Sequence, residues 1–400
     1  MTRRALLVFC VLGGALLAAL AFSQTSYDER WLAAKRRFAE NEIAAIAEPF
    51  RGVATSSGIE QGLFSITPTG VSTDPIREDA TSFLSTLTEE QQIRTIFSVE
   101  APEWRRWSNV DNGIYVRQGV SLEEMTDDQK DAAWGLLQSS LSPKGLALSR
   151  NIMKTDQTLL ELNENTLRFG EEKYFFTMMG LPSPEEPWGW QLDGHHLVIN
   201  YFVLGDQVVM SPVFLGGEPA VAESGKYAGN AILQHEQDQG LAFLRSLSED
   251  QRREAILYPD KTINNILAAA SSDNVTVDYA GLRVSTLTDS QKQQLLELVG
   301  LYVGNLREGH ARVRMDEVEQ HLDETTFAWI GGTSDDAVFY YRIHSPVVLI
   351  EFDHQRPVGT AHLRQKDVPT RQHIHVVVRT PNGNDYGKDL LRQHLEAHPH

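Results

Sequence analysis

Cysteine is nearly absent. The 400-residue sequence holds one, Cys10. A single thiol forms no internal disulfide and builds no cysteine-based zinc site. Positive charge is scarce too: 36 Lys and Arg stand against 54 Asp and Glu, for a formal net charge of -18. That balance excludes a general nucleic-acid-binding surface and broad attraction to an anionic membrane. Several reaction signatures are missing. The chain has no Gly-x-Ser-x-Gly elbow, no Walker loop, no His-Glu-x-x-His pair and no dinucleotide fingerprint. Serine hydrolase, P-loop and zincin readings lose their basis. What is present is globular composition, with 41% hydrophobic and 22% charged residues. A chain of this length and make-up can bury a large core.

The sequence begins Met1-Thr2-Arg3-Arg4, followed by an apolar run from Ala5 to Phe22 and a small residue at Ser23. A basic start, an apolar middle and a small-residue end describe a secretory leader. The paired arginines also fit a twin-arginine export signal. An N-terminal membrane anchor is the alternative, since the run is about the shortest that spans a bilayer core. With residues 1–23 removed as a leader, Cys10 goes with them. The expected product is exported, periplasmic or extracellular, without cysteine and without stable membrane insertion.

Residues 24–78 read as an N-terminal segment of helix and loop. Trp31, Phe38, Ile46 and Phe50 recur at helical intervals, and Gly58, Gly62, Pro68 and Gly70 then mark a loop. An internal repeat follows. Phe83-Leu84, Leu87 and Gln91 match Phe243-Leu244, Leu247 and Gln251. Gly119 with Met125-Thr126-Asp127 and Gln129-Lys130 matches Gly281 with Leu287-Thr288-Asp289 and Gln291-Lys292. Phe176 to Gly180 aligns with Phe327 to Gly331, and Trp188, Trp190, Leu192, Ile199 and Tyr201 with Phe339, Tyr341, Ile343, Ile350 and Phe352. Thr126 and Thr288 each precede a helical pattern, where a short hydroxyl side chain caps orphan amides. Asp193-Gly194 between alternating apolar runs reads as a hairpin turn. The expected fold is α+β: two tandem pseudo-repeats, 79–237 and 238–400, each with helices followed by an antiparallel β-meander, packed as one body. A helix from Asp385 to His398 is expected to close the chain.

The histidines are unevenly placed. Eight of thirteen lie at or beyond His344. His373 and His375 are two apart on an expected strand, so both imidazoles share a face. Glu351 and Asp353 have the same spacing on an earlier strand. These residue types suit a divalent metal site without cysteine, and Zn, Mn or Fe would fit. Glu351 and either His195 or His196 are the expected further ligands, with Asp353 an outer partner holding an imidazole. His196, Trp190, Asn384 and Asp385 are candidates for substrate contact. Arg379 and Arg342 are candidates to orient an anionic group, and Glu351 to serve catalysis. The bland reading of each is a salt bridge, a turn or a core contact. Trp104 and Trp107, three apart, read as a packed helix face.

Trp188-Gly189-Trp190, Gly194-His195-His196-Leu197, Tyr341-Arg342, Leu349-Ile350-Glu351-Phe352-Asp353, His373-Ile374-His375 and Asn384-Asp385-Tyr386-Gly387 together resemble the DUF3500 family of often exported bacterial proteins. The resemblance spans nearly the whole chain after the leader. It implies that these histidines and Glu351 belong to the family pattern, and it supplies no reaction. The stretch from Arg356 to Thr370 is longer than the family's usual link, which bears on how the strands on either side pair. The favoured reading is a metal-dependent, hydrolase-like enzyme acting on a small molecule, with its site in the second repeat. The competing readings are a non-enzymatic small-ligand-binding module of the cell envelope, and metal-free acid–base catalysis by Glu351 with a histidine.

Overall fold

The computed structural model describes residues 32–398 except 271. The expected leader, residues 1–23, lies outside them. Among the described residues no helix is long and apolar enough to cross a membrane.

The first helix, α1, covers 32–47 and is followed by irregular chain to residue 73. The rest of the chain runs through α2 (Asp74–Thr86), α3 (Glu89–Thr95), β1 (Ile96–Phe97), β2 (Val120–Ser121), α4 (Asp127–Ser140), α5 (Pro143–Asn163), β3 (Tyr174–Met179), β4 (Trp188–Gly194), β5 (Leu197–Leu204) and β6 (Gln207–Gly217). It continues through α6 (Gln234–Ser246), α7 (Glu249–Ala255), β7 (Ile256–Tyr258), β8 (Leu282–Arg283), α8 (Asp289–Val303), α9 (Glu308–Gln320), β9 (Thr326–Gly331), β10 (Phe339–His344), β11 (Leu349–His354), β12 (Ile374–Arg379) and α10 (Lys388–Ala397). The strands form one mostly antiparallel sheet in the order β1-β3-β4-β5-β6-β12-β11-β10-β9-β7. That order reads alike from both ends. β1 pairs parallel with β3, and β7 parallel with β9. β2 and β8 lie antiparallel on the same two strands. The two meanders meet at β6 and β12.

Local chemistry explains the helix starts. Thr88, Thr126, Ser248 and Thr288 each close a capping box with a glutamine three residues on. Each box satisfies two amides that the helix leaves orphaned. The glutamines also bond to one another across helices. Gln129 Nε2 donates to Gln91 Oε1 at 2.8 Å, and Gln291 Nε2 to Gln251 Oε1 at 3.0 Å. The glutamines singled out in the sequence therefore join two helix starts in the same manner in both places.

One face of the sheet carries the larger core, where Trp190, Tyr201, Tyr341 and Phe352 meet apolar residues of α2, α4, α6 and α8. The other carries Val198, Phe202, Phe214 and Val377 under Trp104, Trp107, Ala268 and Tyr386. Strand alternation assigns each side chain to its layer. Trp104 lies in a short 3-10 turn, Pro102–Arg105, and Trp107 follows it; both are buried, in place of the expected helix face. Two sequence expectations are corrected here. Asp193 and Gly194 belong to β4, with Gly194 opposite Leu197, and the turn falls on His195-His196. The closing helix starts at Lys388, after a 3-10 turn at Asp385–Gly387.

The second face contains a costly group. Burial pushes the Glu103 carboxyl up to about 7, against the opposing Arg106 and with the help of Glu42 and Asp193. A raised carboxyl contributes stability that is full below its ordinary 4.5 and is lost as pH rises through about 7. Urea unfolding at pH 5 and pH 8 is expected to show a loss of about 1–3 kcal/mol that Glu103→Gln removes. An unchanged pH profile in Glu103→Gln would refute this.

Candidate metal centre

Three histidines meet where the two meanders join. β12 presents His375 opposite Gly216 on β6 and Asp353 on β11. The Glu-x-Asp strand and the His-x-His strand are thus direct neighbours, whatever the length of their link. His373 precedes the strand by one residue, and alternation turns it toward the same face as His375. His196 arrives from the β4–β5 turn with φ at 62°, a left-handed value uncommon for a side-chain-bearing residue. Gly216 provides the space. A Cβ there would stand 2.6 Å from the Ile374 carbonyl oxygen and 3.3 Å from His375 Cδ2.

The three Nε2 atoms form a triangle. His373 lies 2.9 Å from His375 and 3.3 Å from His196, and His196 lies 3.1 Å from His375. An ion bonded to three imidazoles at roughly 2.0–2.1 Å in tetrahedral array sets their nitrogens about 3.3–3.4 Å apart. The observed triangle is slightly tighter, and a point about 2 Å from all three lies just off its plane. Three histidines are therefore placed close enough together to hold a metal ion.

The surroundings favour the ligand form. His373 Nδ1 donates to the Arg356 carbonyl at 2.6 Å, so its Nε2 carries the lone pair. Glu218 lies 3.5 Å from the same Nδ1. Its carboxylate accepts from the amides of Val358, Gly359 and Thr360. Burial alone would raise Glu218, but His373 and the Thr360 and Gly359 bonds hold it below its ordinary value. Burial, reinforced by the neighbouring histidines, pushes His196 and His375 well down. Burial lowers His373 as well, against the pull of Glu218. All three imidazoles are neutral at pH 7, the state that binds metal.

The other candidates lie apart from this triangle. His195 stacks on His196, with centroids 3.9 Å apart, but its Nδ1 donates to Asp156 at 2.5 Å and it does not join the cluster. The His196 ring reaches the centre and the His195 ring, stacked on it, supports it. Glu351 shares the His375 face, yet its carboxylate accepts from Tyr340 Oη at 2.7 Å and from the amides of Leu267 and Ala268 at 3.0 and 2.9 Å. It is not a member of the histidine cluster. Asp353 pairs with the buried Lys261 at 2.7 Å and accepts from the Asn265 amide, so it holds no imidazole. Arg379 is wholly buried and bonds to Asp273, Asp385 and the carbonyls of Ala268 and Ala269. Arg342 reaches the Asp278 carbonyl. Trp190 stacks on Tyr201 inside the core, with no exposed face for a substrate. Asp385 accepts from Ser211 and the Thr380 amide, and Asn384 from the Leu390 amide. Glu218, Arg356 and Gly216 were not singled out in the sequence. The Gly216-Gly217-Glu218-Pro219 run was the available signal.

The fold and the site together define an α+β protein built on one broad antiparallel sheet with a three-histidine centre at its middle. The family described as "Protein of unknown function (DUF3500)" matches residues 69–388, and the chain belongs to that family. No curated protein and no solved structure matches it.

Proposed function

We propose that the chain is an exported metal-dependent enzyme of hydrolase type acting on a small molecule. The observation that carries this is the triangle of three histidine Nε2 atoms within metal-binding reach of one another. Three imidazoles and a free position are the donor set of catalytic zinc, and such an ion lowers the pKa of bound water to about 7. Zinc fits best; manganese and iron remain within the proposal. His196, His373 and His375 hold the ion. The Arg356 carbonyl and Glu218 orient His373. Neither Arg379 nor Arg342 is assigned a substrate role, because both are engaged in structural bonds. The palindromic strand order and the paired glutamines support a further reading, that 79–237 and 238–400 descend from one duplicated unit.

Metal analysis by mass spectrometry tests the centre. The purified chain is expected to carry about one equivalent of a transition metal, or to take it up from added Zn2+, and His373→Ala with His375→Ala to carry none. Less than about a tenth of an equivalent in both proteins, not restored by added metal, sinks the proposal. Hydrolysis of 4-nitrophenyl acetate by the loaded protein, abolished by chelation and restored by Zn2+, tests the enzymatic part. A loaded but inert protein in a wider panel of esters, amides and phosphoesters favours the second reading, a metal-bearing ligand-binding module. That reading draws on the absence, among the assigned arginines, of a free cation beside the centre.

A further inference from the structure

One carboxylate joins the metal centre to a surface segment. Glu218 comes directly after β6 and is buried. Three successive amides converge on it. Val358 N donates to Oε1 at 3.1 Å, Gly359 N to Oε2 at 2.8 Å and Thr360 N to Oε1 at 2.9 Å. Thr360 Oγ1 donates to Oε1 as well, at 2.5 Å, and Thr360 is itself buried. Consecutive amides in a turn make a cradle for an anion. The turn comes this close because residue 359 is glycine: a Cβ there would stand 2.6 Å from Leu159 Cδ2. The same carboxylate, through Oε2, lies 3.5 Å from His373 Nδ1, the nitrogen that donates to the Arg356 carbonyl.

The segment beyond the turn has little else to hold it. Among the described residues, the polar ties from 358–368 to the rest of the chain are those to Glu218 and one ion pair, Arg364 to Glu223 at 3.5 Å. Val358, Leu363 and Val368 are each at least half exposed, so apolar burial adds little. A buried carboxylate keeps its place only while its donors are present. Unseating the turn removes these donors, and the negative charge then leaves the His373 ring. Outer partners of a ligand imidazole fix its orientation and raise its basicity. An ion on Nε2 in turn makes the Nδ1–H a stronger donor and puts positive charge opposite Glu218. Such coupling is reciprocal. We propose that Thr360 is a positioning residue of the metal centre, acting through Glu218 on His373, and that metal occupancy seats the 358–368 segment. This rests on the metal reading of the three histidines.

Two measurements on the full chain test it. Zn2+ affinity is measured against a chromophoric chelator for the natural chain, Thr360→Val and Thr360→Ser. Hydrogen exchange of the 356–370 peptide is followed by mass spectrometry with and without Zn2+. Valine keeps the shape of threonine and removes the hydroxyl, whereas serine keeps the hydroxyl. Thr360→Val is expected to weaken Zn2+ binding at least about fivefold, and Thr360→Ser to stay within about twofold of the natural chain. Zn2+ is expected to slow exchange of the 358–360 amides at least about fivefold in the natural chain, and less in Thr360→Val. A merely structural role for Thr360 would leave exchange independent of Zn2+. Natural affinity in Thr360→Val, a loss that serine does not rescue, or exchange unaltered by Zn2+ in the natural chain each overturns this inference and leaves the centre standing. No Zn2+ binding by the natural chain overturns the metal reading, and this inference with it. The exchange measurement needs only the natural chain, so it decides the matter even if neither variant folds.

Discussion

Changing His196 to alanine is expected to lower Zn2+ affinity by more than about 100-fold, beyond the 10–100-fold typical of a lost outer partner. The reason is geometric. His196 supplies one corner of the Nε2 triangle, 3.1 and 3.3 Å from the other two. Two imidazoles from one stretch of chain do not enclose an ion, and among the described residues no fourth protein ligand stands in the cluster. His195→Ala is expected to cost about tenfold or less, since that ring only stacks on His196 and bonds to Asp156. Glu351→Gln is expected to leave affinity within about threefold, because Tyr340 and two backbone amides occupy the carboxylate. Competition with a chromophoric chelator measures all three. A larger loss in His195→Ala than in His196→Ala would remove His196 from the centre. A large loss in Glu351→Gln would restore the carboxylate to it.

The second large effect concerns stability. Arg379→Met is expected to cost about 3–5 kcal/mol in urea unfolding, the usual cost of leaving a buried ion unpaired. Arg379 Nη1 lies 2.8 Å from Asp273 and 3.0 Å from Asp385, and all three side chains are almost wholly buried. Asp273 also meets Arg105 at 2.8 Å, and Arg105 in turn binds the carbonyls of Ala45, Ile46 and Glu48 at the end of α1. The network therefore ties the N-terminal helix, Ala268, Ala269 and Asp273, and the turn before α10 to the sheet. Removing the shared cation leaves Asp385 without an ion-pair partner and takes one of two from Asp273, which keeps Arg105. Adding Asp385→Asn to Arg379→Met is expected to recover part of the loss, since one stranded charge disappears. A clamp for an anionic substrate behaves otherwise: Arg379→Met would then keep its stability and lose only binding. Stability within about 0.5 kcal/mol of the natural chain would refute the structural assignment.

How much of this was legible beforehand depends on the range of the signal. Period-2 alternation placed the His-x-His pair on one face, and the structure keeps both imidazoles there. The capping threonines and their glutamines were visible because a capping box is complete within four residues. The hairpin turn was placed two residues early. Asp-Gly is a strong local turn signal, but β3 and β5 hold Asp193 and Gly194 in register, and a Cβ at Gly194 would stand 2.1 Å from Tyr174. That shift moved His196 from the strand into the turn and made it, not His195, the third corner. Glu351 looked like a site residue because it and Asp353 repeat the spacing of the histidine pair, and Arg379 because its fork suits an anion. What they do is satisfy distant loops, at separations of 84 and 111 residues.

The sequence by itself determined the α+β class, the strands and capped helices, and two of the three histidines, because each rests on spacing within a few residues. Its single cysteine and acidic balance settled which chemistries were closed. Tertiary structure decided the rest. It joined β6 to β12 and so carried His196 across 177 residues to His373. It turned the conspicuous carboxylates and arginines into buried struts. Each of these depends on which strands become neighbours, and that is settled by the packing of the whole sheet rather than by any short stretch of chain.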